Sequence, residues 1–254
     1  MSRVAFSVGP LDFYWYGLIV AAALLAGLCI SIWQAKLRRE PAEMVIDLAL
    51  LGVPIAIMAA RIFYVLFNYR YYLVDPREAL FLWHGGFDSY GALVGFVFAV
   101  YLYTYRLRVS FWPWLDIIAP GMAIGQAIGQ WGNFINQEAF GHPTDLPWGI
   151  YIDFAYRPPG YEEFDFFHPL FLYESLWNLV VFVLLLLLSH LQKKREVKAG
   201  SRFLLFLFLF SLGKAVTGGM RLDDEMVGSL SLGQLISFIA AVFSLWLLVR
   251  RYCQ

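Results

Sequence analysis

The sequence predicts an all-α integral membrane protein with about seven transmembrane helices. Of its 254 residues, 60% are hydrophobic and only 15% are charged, and the mean hydropathy is +0.63. Soluble domains are about 45–50% apolar and roughly 25% charged. The apolar residues are also gathered into long runs, and a helix needs about 20 such residues to cross a bilayer.

Seven apolar segments account for the predicted helices, and together they make one polytopic membrane domain that covers residues 1–254. The first is longer than the apolar region of a cleavable signal peptide, which has about 7–15 residues, so we expect it to be retained. The third and fourth are the least uniformly apolar. The segments lie at residues 13–35, 44–67, 90–105, 111–130, 171–190, 203–220 and 231–249.

The placement of charge predicts the orientation of these segments. The net charge is zero, so no basic footprint indicates a nucleic-acid partner. Twelve of the nineteen lysines and arginines lie after the first, third and fifth segments and in the C-terminal tail. Positively charged connections stay in the cytoplasm. We therefore expect the N-terminus outside and the C-terminus in the cytoplasm.

The long segment 131–170 then lies on the outer side of the membrane. A connection of this length is usually functional or forms a small subdomain of its own. We expect it to form a small extracytoplasmic head, and we expect function on the outer half of the molecule.

Two cations lie within apolar segments, where a polar group is a candidate for function. Arg61 interrupts the second segment, and its guanidinium either snorkels to the outer surface or binds a lipid phosphate through its planar fork. Lys214 lies too deep in the sixth segment to reach the cytoplasmic surface easily. It faces a wet cavity, pairs with an acidic residue or binds an anion. Gly218 and Gly219 follow, and they allow close helix packing or leave room for a lipid.

Two polar stretches mark the outer ends of the third and fourth segments. The stretch HGGFDSYGALVG places His84 and Tyr90 among glycines, where the backbone either lines a cavity or forms a plain loop. The stretch GQAIGQWGNFINQEAFG is the densest amide cluster of the chain. Gln130 and Asn133 share a helical face within it. Their amides either hydrogen-bond to a phosphate or hydroxyl ligand or form a network that ties helices together.

Four motifs, spread nearly from end to end, resemble the prolipoprotein diacylglyceryl transferase family of bacterial membrane enzymes. The third of them resembles the family's specific signature. The predicted topology of seven spans with an outer N-terminus and a periplasm-facing head is similar as well. The motifs are WYG at 15–17, ARIFYVLFNYRYYLVDPREALFLWHGG at 60–86, GNFINQEAFG at 132–141 and HPLFLYESLWN at 168–178.

The resemblance implies transfer of the sn-1,2-diacylglyceryl group of phosphatidylglycerol to a lipobox cysteine of a prolipoprotein. The expected partners are phosphatidylglycerol, prolipoprotein signal peptides and membrane lipids. The expected location is the bacterial plasma (inner) membrane, with the active site toward the outer side, and no cofactor or metal is expected. The catalytic candidates are Tyr16, His84, Tyr90 and Glu138, and the headgroup-binding candidates are Arg61, Gln130, Asn133, Gly141, Lys214 and Arg221.

Four positions depart from the pattern of that family. The family pattern has arginine, histidine, arginine and glutamate where this chain has Gln130, Tyr90, Lys214 and Gly218. A glutamine keeps at best a neutral hydrogen bond to phosphate, about half as strong as the charge-assisted bond of arginine. Tyr16, Asn133, Glu138 and Gly141 are retained.

The substitutions leave two further hypotheses open. One is a non-catalytic relative that binds phospholipid or prolipoprotein without transfer, and the other is a transferase that acts on another lipid or acceptor. Gln130 itself either fills the space of an arginine or is the centre of a site rebuilt around an amide. The effect of Gln130→Arg on activity distinguishes these two roles.

Overall fold

A computed structural model of the chain describes residues 3–9, 11–82, 85–191, 197–222 and 226–253. The chain forms two compact units. The inserted unit consists of residues 32–117, and the main unit consists of residues 1–31 together with 118–254.

Most of the described chain is helical. The helices are α1 Trp15–Leu37, α2 Ala42–Phe67, α3 Tyr69–Tyr72, α4 Ser89–Leu107, α5 Phe111–Asn136, α6 Leu170–Leu191, α7 Ser201–Gly218 and α8 Leu232–Cys253. Short 3-10 helices lie at Pro76–Leu80 and Phe154–Tyr156.

The helices confirm the predicted class of an all-α membrane protein. In the described part of the chain, six of them are long and apolar enough to cross a membrane, namely α1, α2, α4, α6, α7 and α8. The fourth predicted segment is also one continuous helix, α5, but Asp116, Gln126 and Gln130 interrupt its apolar sequence. It is not among these six, so seven spans and their orientation stay predictions.

Three short antiparallel strand pairs accompany the helices, and the hydropathy pattern did not predict them. They are β1 Val4–Val8 with β2 Leu11–Tyr14, β3 Ile150–Tyr151 with β4 Phe166–Phe167, and β5 Met226–Val227 with β6 Leu230–Ser231. Strands of two to five residues are too short for an alternating pattern to stand out. The first pair is held by Phe6 and Phe13, whose rings stack with centroids 4.7 Å apart.

The inserted unit is built on α2 and α4, which pack along each other. Gly91 and Gly95 let the two backbones approach closely. A β-carbon at Gly91 would lie 2.6 Å from Phe63 Cβ, and one at Gly95 would lie 2.5 Å from Ala59 Cβ. Small residues four apart favour this kind of close helix contact in membranes.

The main unit contains most of α5 together with α6, α7 and α8. Ser175 of α6 donates to the backbone carbonyl of Ala127 of α5 at 2.7 Å, and α7 packs along both α6 and α8. The predicted head is a folded segment with a small apolar core of Phe140, Ile152 and Phe167. It begins after Asn136 rather than at residue 131, because α5 continues into the first half of the signature, to Asn136.

Candidate functional site

A buried carboxylate joins three helices of the main unit. Glu174 of α6 is 6% exposed, and its Oε2 accepts hydrogen bonds from Gln130 Nε2 of α5 at 2.5 Å and from Lys214 Nζ of α7 at 2.6 Å. Its Oε1 accepts from the hydroxyl of Thr217 at 2.8 Å. Asn133 extends the arrangement, since its Nδ2 donates to Gln130 Oε1 at 2.8 Å. These five residues are the Glu174 cluster.

Helical spacing explains why the sequence builds this cluster. Residues three apart on a helix lie on the same face. Gln130 and Asn133 are spaced in this way on α5, and Lys214 and Thr217 are spaced in this way on α7. Polar pairs on two helices therefore meet the single carboxylate of the third.

The cluster answers two questions that the sequence left open. Lys214 pairs with an acidic residue, because Glu174 lies 2.6 Å from its ammonium group. The amides of Gln130 and Asn133 form a network that ties helices together, and both ends of the Gln130 side chain are engaged in it. Gln130 is therefore part of this network, and its role as the filler of an arginine's space or as the centre of a rebuilt site stays a prediction that the activity of Gln130→Arg tests.

The sequence-based candidates did not include Glu174. The residue lies inside the motif HPLFLYESLWN, where it is the only charged residue of an apolar segment. A charged residue at membrane depth is a functional candidate by default, so the signal was present. Its role depends on its partners Lys214 and Gln130, which are 40 and 44 residues away along the chain, so the sequence did not indicate that role.

The signature ends in a strained turn that closes α5. Gln137 and Ala139 have positive φ angles of 55° and 53°, a conformation that costs a non-glycine residue roughly 1–2 kcal/mol. The Gln137 side chain compensates, because it donates to Asp153 Oδ2 at 3.0 Å and accepts from the Asp153 N–H at 2.8 Å. The turn leaves Glu138 exposed between the two strained residues.

Two residues of the N-terminal segment pack on the signature. The ring of Tyr16 lies on Gly132, where a β-carbon would be 2.8 Å from Tyr16 Cδ2. Arg3 donates to the carbonyl of Asn136 at 2.6 Å, and its guanidinium stacks over the ring of Tyr156 at 4.2 Å. A cation at the C-terminal carbonyls of a helix stabilises that helix end. Arg3 is a second residue that the sequence-based candidates did not include.

Gly141 and Arg221 meet at the edge of the head. They form an isolated antiparallel bridge, and the Gly141 N–H donates to the carbonyl of His168 at 3.0 Å. A β-carbon at Gly141 would lie 2.9 Å from His168 Cβ, so no side chain fits there. The main unit thus brings together seven of the ten predicted site residues: Tyr16, Gln130, Asn133, Glu138, Gly141, Lys214 and Arg221.

Two of the other three predicted residues, Arg61 and Tyr90, belong to the inserted unit. Arg61 is 4% exposed, and its guanidinium donates to the backbone carbonyls of Glu78, Ala79, Phe81, Gly85 and Gly86. It holds these backbone carbonyls together, and its role toward a lipid phosphate stays a prediction. Tyr90 is buried in the first turn of α4. His84 lies outside the described residues, so its role also stays a prediction.

The polar groups of the main unit suit binding and acid–base chemistry. The seven predicted residues of this unit, together with Glu174 and Thr217, supply two cations, two carboxylates, two amides, a phenol and a threonine hydroxyl. Within the described residues, no group of three or more histidine, cysteine, aspartate or glutamate side chains is arranged to hold a metal ion.

The fold and these residues define a multi-pass helical membrane protein with a charge-paired polar cluster inside its helix bundle. The sequence model of the prolipoprotein diacylglyceryl transferase family matches residues 3–250. The chain belongs to this family, and it is a transferase.

Cyanobacterial relatives support the assignment along the whole chain. The phosphatidylglycerol–prolipoprotein diacylglyceryl transferase of Trichormus variabilis is 42% identical over 254 residues, which cover 98% of this chain and 90% of the relative. The enzyme of that name from Synechococcus elongatus is 42% identical over 96% of this chain and 86% of the relative. The one from Acaryochloris marina is 43% identical over 92% and 85%.

Proposed function

We propose that this protein transfers the sn-1,2-diacylglyceryl group of phosphatidylglycerol to the lipobox cysteine thiol of prolipoproteins. This would be the first step of lipoprotein maturation. The observation that carries the proposal is the retained signature at the end of α5. Its Gly141 forms a bridge with Arg221, and its Asn133 is linked through Gln130 and Glu174 to Lys214. Relatives that carry the name of this activity align over nearly the whole chain.

The reaction forms one bond and breaks one. The sulfur of the cysteine attacks the glycerol carbon that carries the phosphate ester, and a thioether forms. The carbon–oxygen bond to phosphate breaks, and glycerol phosphate leaves with the electron pair. The thiol must first give up its proton, because the thiolate is the reactive nucleophile.

The cations of the main unit have the role of stabilising the phosphate as it leaves. Preorganised positive charge at a departing anion is typically among the largest contributions to catalysis. Arg221 is the candidate for that charge, and Lys214, whose own charge is paired with Glu174, is a candidate for a hydrogen bond to the headgroup. Gln130, Asn133 and Gly141 shape the surroundings of the headgroup. Arg61 of the inserted unit is a further candidate for the phosphate.

Proton transfer is assigned to the polar residues near the signature and in the inserted unit. Glu138 is exposed at the turn that ends α5, and Tyr16 packs on the same helix. His84 is the candidate for taking the thiol proton, since an imidazole titrates near neutral pH. Tyr90 donates a hydrogen bond but is a poor base, given a reference pKa of about 10.

We place the protein in the bacterial plasma (inner) membrane with the active site toward the outer side. The support is the distribution of lysine and arginine along the chain, which follows the positive-inside rule for seven spans. In this orientation the signature and the head meet prolipoproteins on the outer side, where their lipobox cysteine emerges.

A complementation assay tests the proposal. The gene is expressed in a bacterial strain depleted of its own transferase, and prolipoprotein is examined by mass spectrometry for the thioether-linked diacylglyceryl group. We expect lipidation by the wild-type protein and a strong loss in Lys214→Met. Gln126→Met, in the same helix as Gln130, serves as the control. Absence of lipidation by a well-inserted wild-type protein would refute the proposal.

A non-catalytic relative that binds phospholipid or prolipoprotein is the second candidate. The substitutions at Gln130, Tyr90, Lys214 and Gly218 favour it, because each replaces a residue of the family pattern. Binding of phosphatidylglycerol without release of glycerol phosphate in the presence of a lipobox peptide would select this candidate over the transferase.

A further inference from the structure

The Glu174 cluster contains a chain of hydrogen bonds with a fixed direction. An ionised carboxylate only accepts hydrogen bonds. Lys214 Nζ and Glu174 Oε2 form an ion pair at 2.6 Å. Glu174 therefore requires a donor from Gln130, and the Gln130 Nε2 group provides it at 2.5 Å.

The orientation of the Gln130 amide in turn determines the orientation of the Asn133 amide. With its Nε2 bound to Glu174, Gln130 presents its Oε1 at the other end of the amide. That oxygen accepts from Asn133 Nδ2 at 2.8 Å. Asn133 must therefore turn its nitrogen toward Gln130, and its carbonyl oxygen faces the opposite way.

The exposed fraction of each side chain shows which end of this series of hydrogen bonds meets a ligand. Glu174 and Gln130 are 6% and 5% exposed, whereas Asn133 is only half-buried. Among the residues that the structure describes, Asn133 Nδ2 has the Gln130 partner and no donor reaches Asn133 Oδ1. We call the series of hydrogen bonds from Glu174 through Gln130 to Asn133 the relay. Its accessible end is thus a hydrogen-bond acceptor.

We propose that Glu174 and Gln130 are positioning residues that make Asn133 an acceptor site for a neutral hydrogen-bond donor of the substrate. Phosphate oxygens accept hydrogen bonds and gain nothing from Asn133 Oδ1. A hydroxyl or thiol group donates to it. The headgroup glycerol of phosphatidylglycerol carries two hydroxyls and the lipobox cysteine carries a thiol, so this inference rests on the proposed function for the identity of its ligands.

The residue at position 130 determines whether Asn133 presents its amide oxygen or its amide nitrogen to a ligand. An arginine there, as in the pattern that the signature resembles, only donates hydrogen bonds. It would bind both Glu174 and Asn133 Oδ1, and the Asn133 nitrogen would then face the ligand. In this chain Gln130 reverses that arrangement, so the glutamine changes what Asn133 recognises as well as removing a charge.

A lipid competition experiment tests the proposal through binding alone. Full-length protein in detergent micelles binds labelled phosphatidylglycerol, which is displaced in separate titrations by unlabelled phosphatidylglycerol and by unlabelled phosphatidylpropanol. Phosphatidylpropanol has the same charge and lacks the two hydroxyls. The ratio of the two competitor affinities is the preference of the protein. We expect the wild type to prefer phosphatidylglycerol by about threefold to tenfold, the effect of one hydrogen bond. Gln130→Met removes the relay and should bring this preference close to one, and Gln126→Met should leave it unchanged.

Gln130→Arg provides a second variant with a different expected result. The added charge should strengthen the binding of both lipids, while the reversed Asn133 should again abolish the preference between them. A Gln130→Arg variant that keeps the full wild-type preference both between the two lipids and between the two peptides described below would overturn the proposal.

A second pair of ligands separates the hydroxyl from the thiol. Lipobox peptides with cysteine or with α-aminobutyrate, which carries a methyl group in place of the thiol, compete for the same protein. If Gln130→Met abolishes the preference for the cysteine peptide and leaves the lipid preference unchanged, the donor is the thiol. Equal binding of both lipids and of both peptides by the wild type overturns the proposal, and lipidation in the complementation assay would still stand.

Discussion

At the scale of single residues, Lys214 is a cation inside an apolar helix, and its neighbours explain how the chain tolerates it. An unpaired charge at membrane depth costs several kcal/mol. Glu174 supplies the opposite charge, and Gln130 and Thr217 satisfy further lone pairs of the carboxylate. A buried pair is well tolerated only when such additional hydrogen bonds are present.

Breaking this pair should destabilise the protein strongly. Glu174→Ala leaves Lys214 buried without its counter-charge, and we expect a loss of about 3–5 kcal/mol of stability. Thermal unfolding of the purified protein in detergent measures the effect. Asp165→Ala is the matched control, because Asp165 pairs with Arg157 but its side chain is 61% exposed. The Arg157 side chain is 6% exposed but keeps its hydrogen bonds to the carbonyls of Ile152 and Glu162, so we expect a smaller loss in Asp165→Ala than in Glu174→Ala.

The double variant Glu174→Leu with Lys214→Met removes both charges and keeps side chains of similar volume. It therefore separates the effect of charge from the effect of packing. Replacement of a buried ion pair by apolar residues is often neutral. We expect the double variant to be more stable than Glu174→Ala while the transfer activity is lost. A double variant as unstable as Glu174→Ala would show that the hydrogen bonds of the cluster, rather than its charge balance, determine stability.

At the scale of elements, the packing of α2 against α4 depends on two glycines. Gly91 lies where a β-carbon would approach the carbonyl oxygen of Ala59 to 2.8 Å as well as Phe63 Cβ. Neither neighbour can move away without shifting a backbone or a packed ring. The α2–α4 pair therefore has little tolerance for a larger residue.

Gly91→Ala should lower stability by about 1–3 kcal/mol through overpacking. The matched control is Gly129→Ala in α5, where nothing lies within 4 Å of the added β-carbon. That change should be neutral or should stabilise the helix by up to about 1 kcal/mol, because alanine favours helix more than glycine does. Equal apparent Tm values for the two variants would contradict the close contact of α2 and α4.

The helices were more predictable than their ends. Apolar runs predicted seven long helices because hydropathy is a property of each segment alone. The end of α5 was placed at residue 130 because the amides after it interrupt the apolar run, whereas the helix continues to Asn136. Within the folded bundle Gln130 and Asn133 have polar partners, so they do not end the helix. Glu174 and Arg3 were missed for the same reason, since their roles depend on partners far away in sequence.

At the scale of the whole molecule, the predicted topology has seven spans, an outer N-terminus and a cytoplasmic C-terminus. Fusions at the C-terminus test it. Green fluorescent protein fused after residue 254 should fluoresce, and alkaline phosphatase at that position should be inactive, because the enzyme becomes active only outside the cytoplasm.

A fusion after residue 169 is the control for this topology. Four predicted spans precede that position, so alkaline phosphatase placed there should be active. From an outer N-terminus, an active phosphatase at residue 254 together with an inactive one at residue 169 would mean an even number of spans. The helix to reconsider would then be α5, since it is not among the six described helices that are long and apolar enough by composition.

The sequence by itself determined the membrane class, the approximate helices and the family, because composition, hydropathy and contiguous motifs are read along the chain. The tertiary structure alone decided the partner of Lys214, the role of Glu174 and the direction of the Gln130 and Asn133 amides. Those features join residues 40 and 44 positions apart on three different helices. Which helix faces which is set by packing across the bundle, and no local property of the sequence carries that information.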